Sequence, residues 1–149
     1  MNRPHHLLAL GFLVVSAFLS ACSKSGTDSH AHAAFPTGDG VYFITPTNGA
    51  TVTSPVAVRF GLKGKGVAPA GQPVPNTGHH HLLVDVATLP PLTAPLPSDD
   101  KHRHFGAGQT ETSITLPPGQ HTLQLVVGDH LHVPLGEAWV SEKITITVK

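Results

Sequence analysis

The chain has 149 residues, room for one domain and not two. Gly 15 and Pro 14 argue against a helical bundle, because both residues break helices and here recur between short apolar runs. Nine Lys/Arg balance nine Asp/Glu, so the basic excess expected of a nucleic-acid binder is missing; one Cys excludes an internal disulfide and a CxxC metal knuckle, and one Met, the initiator, excludes a Met-rich Cu(I) site in a mature chain.

At the N-terminus, Arg3 precedes a 15-residue apolar run, Leu7 to Ala21. A spanning helix needs about 20 residues. A basic start, a short apolar core and small residues before a cut instead describe a secretory signal. The segment Leu19-Ser20-Ala21-Cys22 resembles the bacterial lipobox. That resemblance implies a signal peptide over 1–21, cleavage before Cys22 and lipidation of Cys22, which would tie the protein to a membrane. The alternative is an ordinary secreted protein with a chance Cys. Ser23 is similar to the residue that, in Gram-negative lipoproteins, directs export to the outer membrane, which implies its periplasmic face. Residues 22–38, rich in Ser, Gly, Ala and Thr without apolar periodicity, read as a flexible tether.

The globular part is then 39–149. Val41 to Ile44 is a β-rich run stopped by Pro46 and Asn48-Gly49. Pro55 to Leu62 alternates, with Val56, Val58 and Phe60 on one face. Gly61 to Asn76 is Gly/Pro-rich and reads as a loop. His79 to Val86 is the next strand, with Leu82, Val84 and Val86 in phase. Leu89 to Asp100 holds four prolines and reads as a second long loop. Thr110–Leu116, Gln120–Val127 and Val140–Lys149 alternate through Ile114, through Leu123, Leu125 and Val127, and through Ile144, Ile146 and Val148. These runs predict an all-β fold, an antiparallel β-sandwich of about seven strands. Ile44-Thr45-Pro46 through Pro55-Val56 resembles the first two strands of bacterial immunoglobulin-like domains. Leu116-Pro117-Pro118-Gly119-Gln120-His121 resembles their corner between strands E and F, with His121 where a Tyr usually stands. An OB-like or jelly-roll sheet is the alternative.

The compositional outlier is His, twelve residues. Outside the signal and the tether, where His30 and His32 lie, the histidines are His79-His80-His81, His102-Arg103-His104, His121 and His130-Leu131-His132. Three groups contain an H-x-H pair. On a strand, residues i and i+2 share a face roughly 6.5–7 Å apart, so two imidazoles can converge on one ion. Imidazole suits Cu(II), Zn and Ni. The candidate ligands are His79, His81, His102, His104, His130 and His132, with Asp85 on the predicted face of His79 and His81. His80 and His121 are in phase with the apolar faces and read as buried histidines or supports for the ligands, with Glu111 as a further support for a loop His. Unperturbed His titrates near 6.5, so metal affinity is expected to fall between about pH 7.5 and 5.5.

Thr77-Gly78-His79-His80-His81-Leu82-Leu83-Val84-Asp85, His102-Arg103-His104-Phe105-Gly106, Pro118-Gly119-Gln120-His121-Thr122-Leu123 and Ser141-Glu142-Lys143-Ile144-Thr145-Ile146 together resemble the bacterial domain-of-unknown-function family 4399. The resemblance implies a small exported protein without an assigned activity and carries over no catalytic residue. The expectation is therefore a metal-binding envelope lipoprotein that is not an enzyme. The alternatives are a structural or protein-interaction module with an envelope partner, and a zinc hydrolase or lyase with an open metal position.

Overall fold

The computed structural model describes Met1 and residues 37–149; the signal, the lipobox with Cys22 and most of the tether lie outside the described residues. The described chain is all-β, with one 3-10 turn, Glu137–Trp139, and no α-helix. Its strands are β1 Gly40–Thr45, β2 Thr51–Val52, β3 Val56–Lys63, β4 Gly66–Val67, β5 Thr77–Val84, β6 His102–His104, β7 Glu111–Ile114, β8 Gly119–Gly128 and β9 Ile144–Val148. Two sheets form. The smaller has the order β1-β3-β7, all antiparallel. The larger runs β2-β9-β8-β5, and the far side of β5 pairs with β4 in parallel and with β6 antiparallel. This order, with β2 crossing to pair in parallel with β9, is that of an immunoglobulin-like sandwich.

Period-2 patterning explains the layers. Val41, Phe43, Val56, Val58, Phe60 and Ile114 of the small sheet pack against Leu82, Val84, Leu123, Leu125, Ile146 and Val148 of the large one. A second, smaller cluster lies on the outer face of the large sheet. There Leu83 and Val126 pack with Leu96 and with half-buried Val86, Leu89 and Val140. The Pro-rich segment after β5 is thus a cover, laid over the back of β5 and β8 and bonded there through Leu96 N–H to the His132 carbonyl. That cover turns an outward strand face into a second interior.

The E–F corner forms as the sequence predicts. His121 Nε2 lies 2.9 Å from the Pro117 carbonyl and Nδ1 lies 2.7 Å from Asp85 Oδ2. Both partners are acceptors, an arrangement that favours the protonated ring, in which both nitrogens donate. The Asp85 hydrogen bond raises the His121 pKa, against the smaller opposing effect of burial. The His121 ring thereby bonds back to the corner backbone, as the Tyr hydroxyl does in related corners. Gly119 opens β8 with φ +139°, a backbone that side-chain-bearing residues avoid. Gly119→Val is therefore expected to cost about 1–3 kcal/mol. Gly38→Val, at an exposed position with open space around it, should leave the thermal midpoint at the wild-type value. Equal melting of both variants in calorimetry would contradict the corner assignment.

Candidate metal centre

The centre begins with the phase of β5. His80, Leu82 and Val84 point into the sandwich, so His79, His81 and Leu83 point out of it. β6 then pairs with β5 so that His104 stands directly opposite His81 and His102 opposite Leu83. On the other side of β5, β8 places Val126 opposite His81 and Gly128 opposite His79. Beyond Gly128 the chain turns sharply. Asp129 Oδ1 accepts from the backbone N–H groups of Leu131 (2.8 Å) and Val133 (2.9 Å), and its own carbonyl accepts from His132 N–H. This turn sets His132 at φ +69° and brings its ring back over the sheet.

Four imidazoles meet there. The Nε2 atoms of His79 and His81 are 3.0 Å apart. The ligand atoms of His79, His81 and His104 lie within 4.8 Å of one another. The ring of His132 packs beside this trio, its centroid 4.7 Å from that of His104, 5.0 Å from His79 and 5.9 Å from His81. His79 and His81 are buried; His104 and His132 are half-buried and form the outer side. Two glycines make the room. A Cβ on Gly106 would run into the His104 ring, and one on Gly128 would press within 3.1 Å of His81 Nε2 and 3.3 Å of the His132 backbone.

Electrostatics disfavour a charge on His79, His81 and His104. Burial, then the neighbouring His104 and His132, push His79 down to about 4, with the Asp129 carboxylate pulling the other way. Burial and then His79, His104 and His132 push His81 down to about 3. Burial and His132 lower His104. The buried His81 Nδ1 and His104 Nε2 have no hydrogen-bond partner within the protein. Converging imidazoles, in which the His79 and His81 Nε2 atoms share one hydrogen bond and two further nitrogens have no partner, fit a borderline transition-metal cation. They do not suit Ca²⁺ or Mg²⁺, which take oxygen ligands. The lowered pKa values also move proton competition. The sequence places it between pH 7.5 and 5.5; burial moves it lower at His79, His81 and His104.

Of the candidates read from the sequence, the structure brings together His79, His81, His104 and His132, and places the others elsewhere. His102 turns to Asp99, with Nδ1 2.9 Å from Oδ1, because β6 begins just after the Asp99 turn. His130 stays outside the ring contacts; its carbonyl accepts from Gly71 N–H. Asp85 lies beyond the end of β5 at φ +53°, which breaks the alternation that put it beside His79 and His81; it binds His121 and Thr122 N–H instead. His121 accordingly supports the corner and not the cluster. Glu111 sits on the other sheet, paired with Arg59 at 3.3 Å. His80 is in the sandwich core against Phe60, ring centroids 4.8 Å apart, and burial lowers its pKa to about 4. Sequence reasoning missed Asp129, Gly106 and Gly128. An Asp opening a tight turn was the available sign for the first.

No curated protein matches the chain. Among solved structures, the endo-beta-1,4-mannanase from Thermotoga petrophila shares 20% identity and a TM-score of 0.42, over 75% of this chain. The chain spans 20% of that enzyme chain's length, and the likeness is too slight to bear on function. A family profile matches residues 58–149, from within β3 to the end of the chain. It leaves out β1 and β2, although both strands belong to the same sandwich. The chain belongs to the DUF4399 family, a domain of unknown function.

Proposed function

We propose that this domain binds one divalent transition-metal ion through His79, His81, His104 and His132, at the surface of a cell-envelope membrane to which Cys22 anchors the chain. The observation that carries the metal reading is the convergence of these imidazoles, from three separate segments, in a cradle kept open by Gly106 and Gly128. Four protein ligands fill a tetrahedral shell and leave no position for an activated water, which favours a binding role over hydrolysis. Equilibrium dialysis of the purified protein against Zn(II), Ni(II) or Cu(II), followed by metal analysis, is expected to give one tightly held ion per chain. Dialysis that leaves the protein free of all three would overturn the reading.

The anchor rests on the lipobox and on the position of the single Cys. Two or more acyl chains at about 0.8 kcal/mol per buried CH₂ hold a protein stably on a bilayer. Labelled palmitate should enter the wild-type protein and fail to enter Cys22→Ser. Equal labelling of the two would remove the anchor.

A further inference from the structure

Selectivity among ions rests on the metal reading of the site and is set by how the four rings are arranged. The six centroid separations among His79, His81, His104 and His132 run from 4.7 to 5.9 Å, and five of them fall between 4.7 and 5.1 Å. Near-equal separations describe a tetrahedron. Four rings bound in a plane, each centred about 3.1 Å from the ion, would leave two opposite pairs roughly 6.2 Å apart, whereas here one pair at 5.9 Å comes near that and the other five lie at 4.7–5.1 Å. Size agrees as well as shape. The centre of a tetrahedron with these edges lies about 3.1 Å from each centroid. A bond of about 2.0–2.1 Å to zinc, plus roughly 1.1 Å from nitrogen to ring centre, spans that distance.

Three of the corners are fixed by sheet pairing. His79 and His81 share β5, and His104 is locked opposite His81 by the β5–β6 register. The fourth corner, His132, is fixed by the Asp129 turn. On the same face of β5 and β8, Leu83 and Val126 pack with Leu96 of the cover segment. A donor set of imidazoles without thiolate or thioether also disfavours Cu(I).

We infer that the site selects Zn(II), and ions equally at ease in tetrahedral geometry, over Ni(II) and other ions that prefer planar or octahedral coordination. The raw affinity order of nitrogen sites puts Cu(II) first whatever the geometry, so Zn(II) against Ni(II) is the discriminating pair. The test is competition between these two ions on the purified full-length protein, together with the visible spectrum of the Co(II)-loaded protein. The expected results are a preference for Zn(II) of about tenfold or more and the intense absorption of tetrahedral Co(II). In His132→Ala, which keeps the three strand-borne ligands, the preference should shrink toward unity. That variant also subtracts any ion held by His30 and His32. Equal or tighter binding of Ni(II), or a weak octahedral Co(II) spectrum, would overturn the selectivity and leave metal binding intact. An unchanged preference in His132→Ala would overturn His132 as the fourth corner. Failure to retain any of the ions would overturn both this inference and the metal reading beneath it.

Discussion

Removing the metal and lowering the pH is expected to unfold this domain well before ordinary acid denaturation. His79 and His80 have pKa values near 4 and His81 near 3 in the folded state, each because burial penalises the charged ring. In the unfolded chain each returns to about 6.5. The folded state therefore binds fewer protons between those values. The stability linked to these groups is fully present above pH 6.5 and is lost as pH falls toward 4. With three such groups the slope approaches about 4 kcal/mol per pH unit. A domain of this size has roughly 5–15 kcal/mol to lose. The metal-free protein should thus show an acid transition near pH 5 in circular dichroism, and Zn(II) should push it lower, because the bound ion stabilises only the folded state. His121 works in the opposite sense. Its raised pKa gives stability that is complete below about pH 6.5 and declines as pH rises through the folded value. A metal-free protein whose stability does not change between pH 7 and 4.5 would show that the buried histidines are not held neutral.

The second large effect separates histidines of equal standing in the sequence. His104→Ala and His132→Ala each remove one imidazole from a group of four, and metal affinity should fall by about 100-fold or more in each, a loss of roughly 3 kcal/mol. His102→Ala and His130→Ala should leave affinity within about threefold of wild type. The control that isolates packing is His80→Ala. Its ring is fully buried against Phe60, so its loss should cost about 2–4 kcal/mol of stability through the cavity left behind, with the metal still bound at saturating concentration. Isothermal calorimetry and thermal melts read the two quantities separately. His102→Ala or His130→Ala behaving like His104→Ala would mean that the loops rearrange around the ion.

These contrasts mark where the sequence was informative. Alternation exposed β3, β5, β8 and β9, and the phase of Leu82 and Val84 already put His79 and His81 together on the opposite face. Pro117, Pro118 and Gly119 marked the corner at which His121 stands. β6 was hidden because three residues, His-Arg-His, carry no apolar alternation; only pairing with β5 makes them a strand. The burial of the outer face was hidden too, since a Pro-rich segment gives no periodic sign of the layer it covers. The choice between His130 and His132 turned on a positive φ fixed by Asp129, and the exclusion of Asp85 on a positive φ just past the end of β5. Both are backbone events at single residues. A period-2 pattern averages over several residues and does not resolve them.

The most direct test of the centre is the imidazole nitrogen NMR spectrum of the protein, followed as Zn(II) is added. Metal ligation changes the shift of the bound ring nitrogen far more than a change of surroundings does. The resonances of His79, His81, His104 and His132 are expected to move together and saturate at one ion per chain, while those of His80, His102, His121 and His130 stay in place. Large ligation shifts at His102 or His130, or no saturable shift at His79 and His81, would contradict a centre built from these four rings.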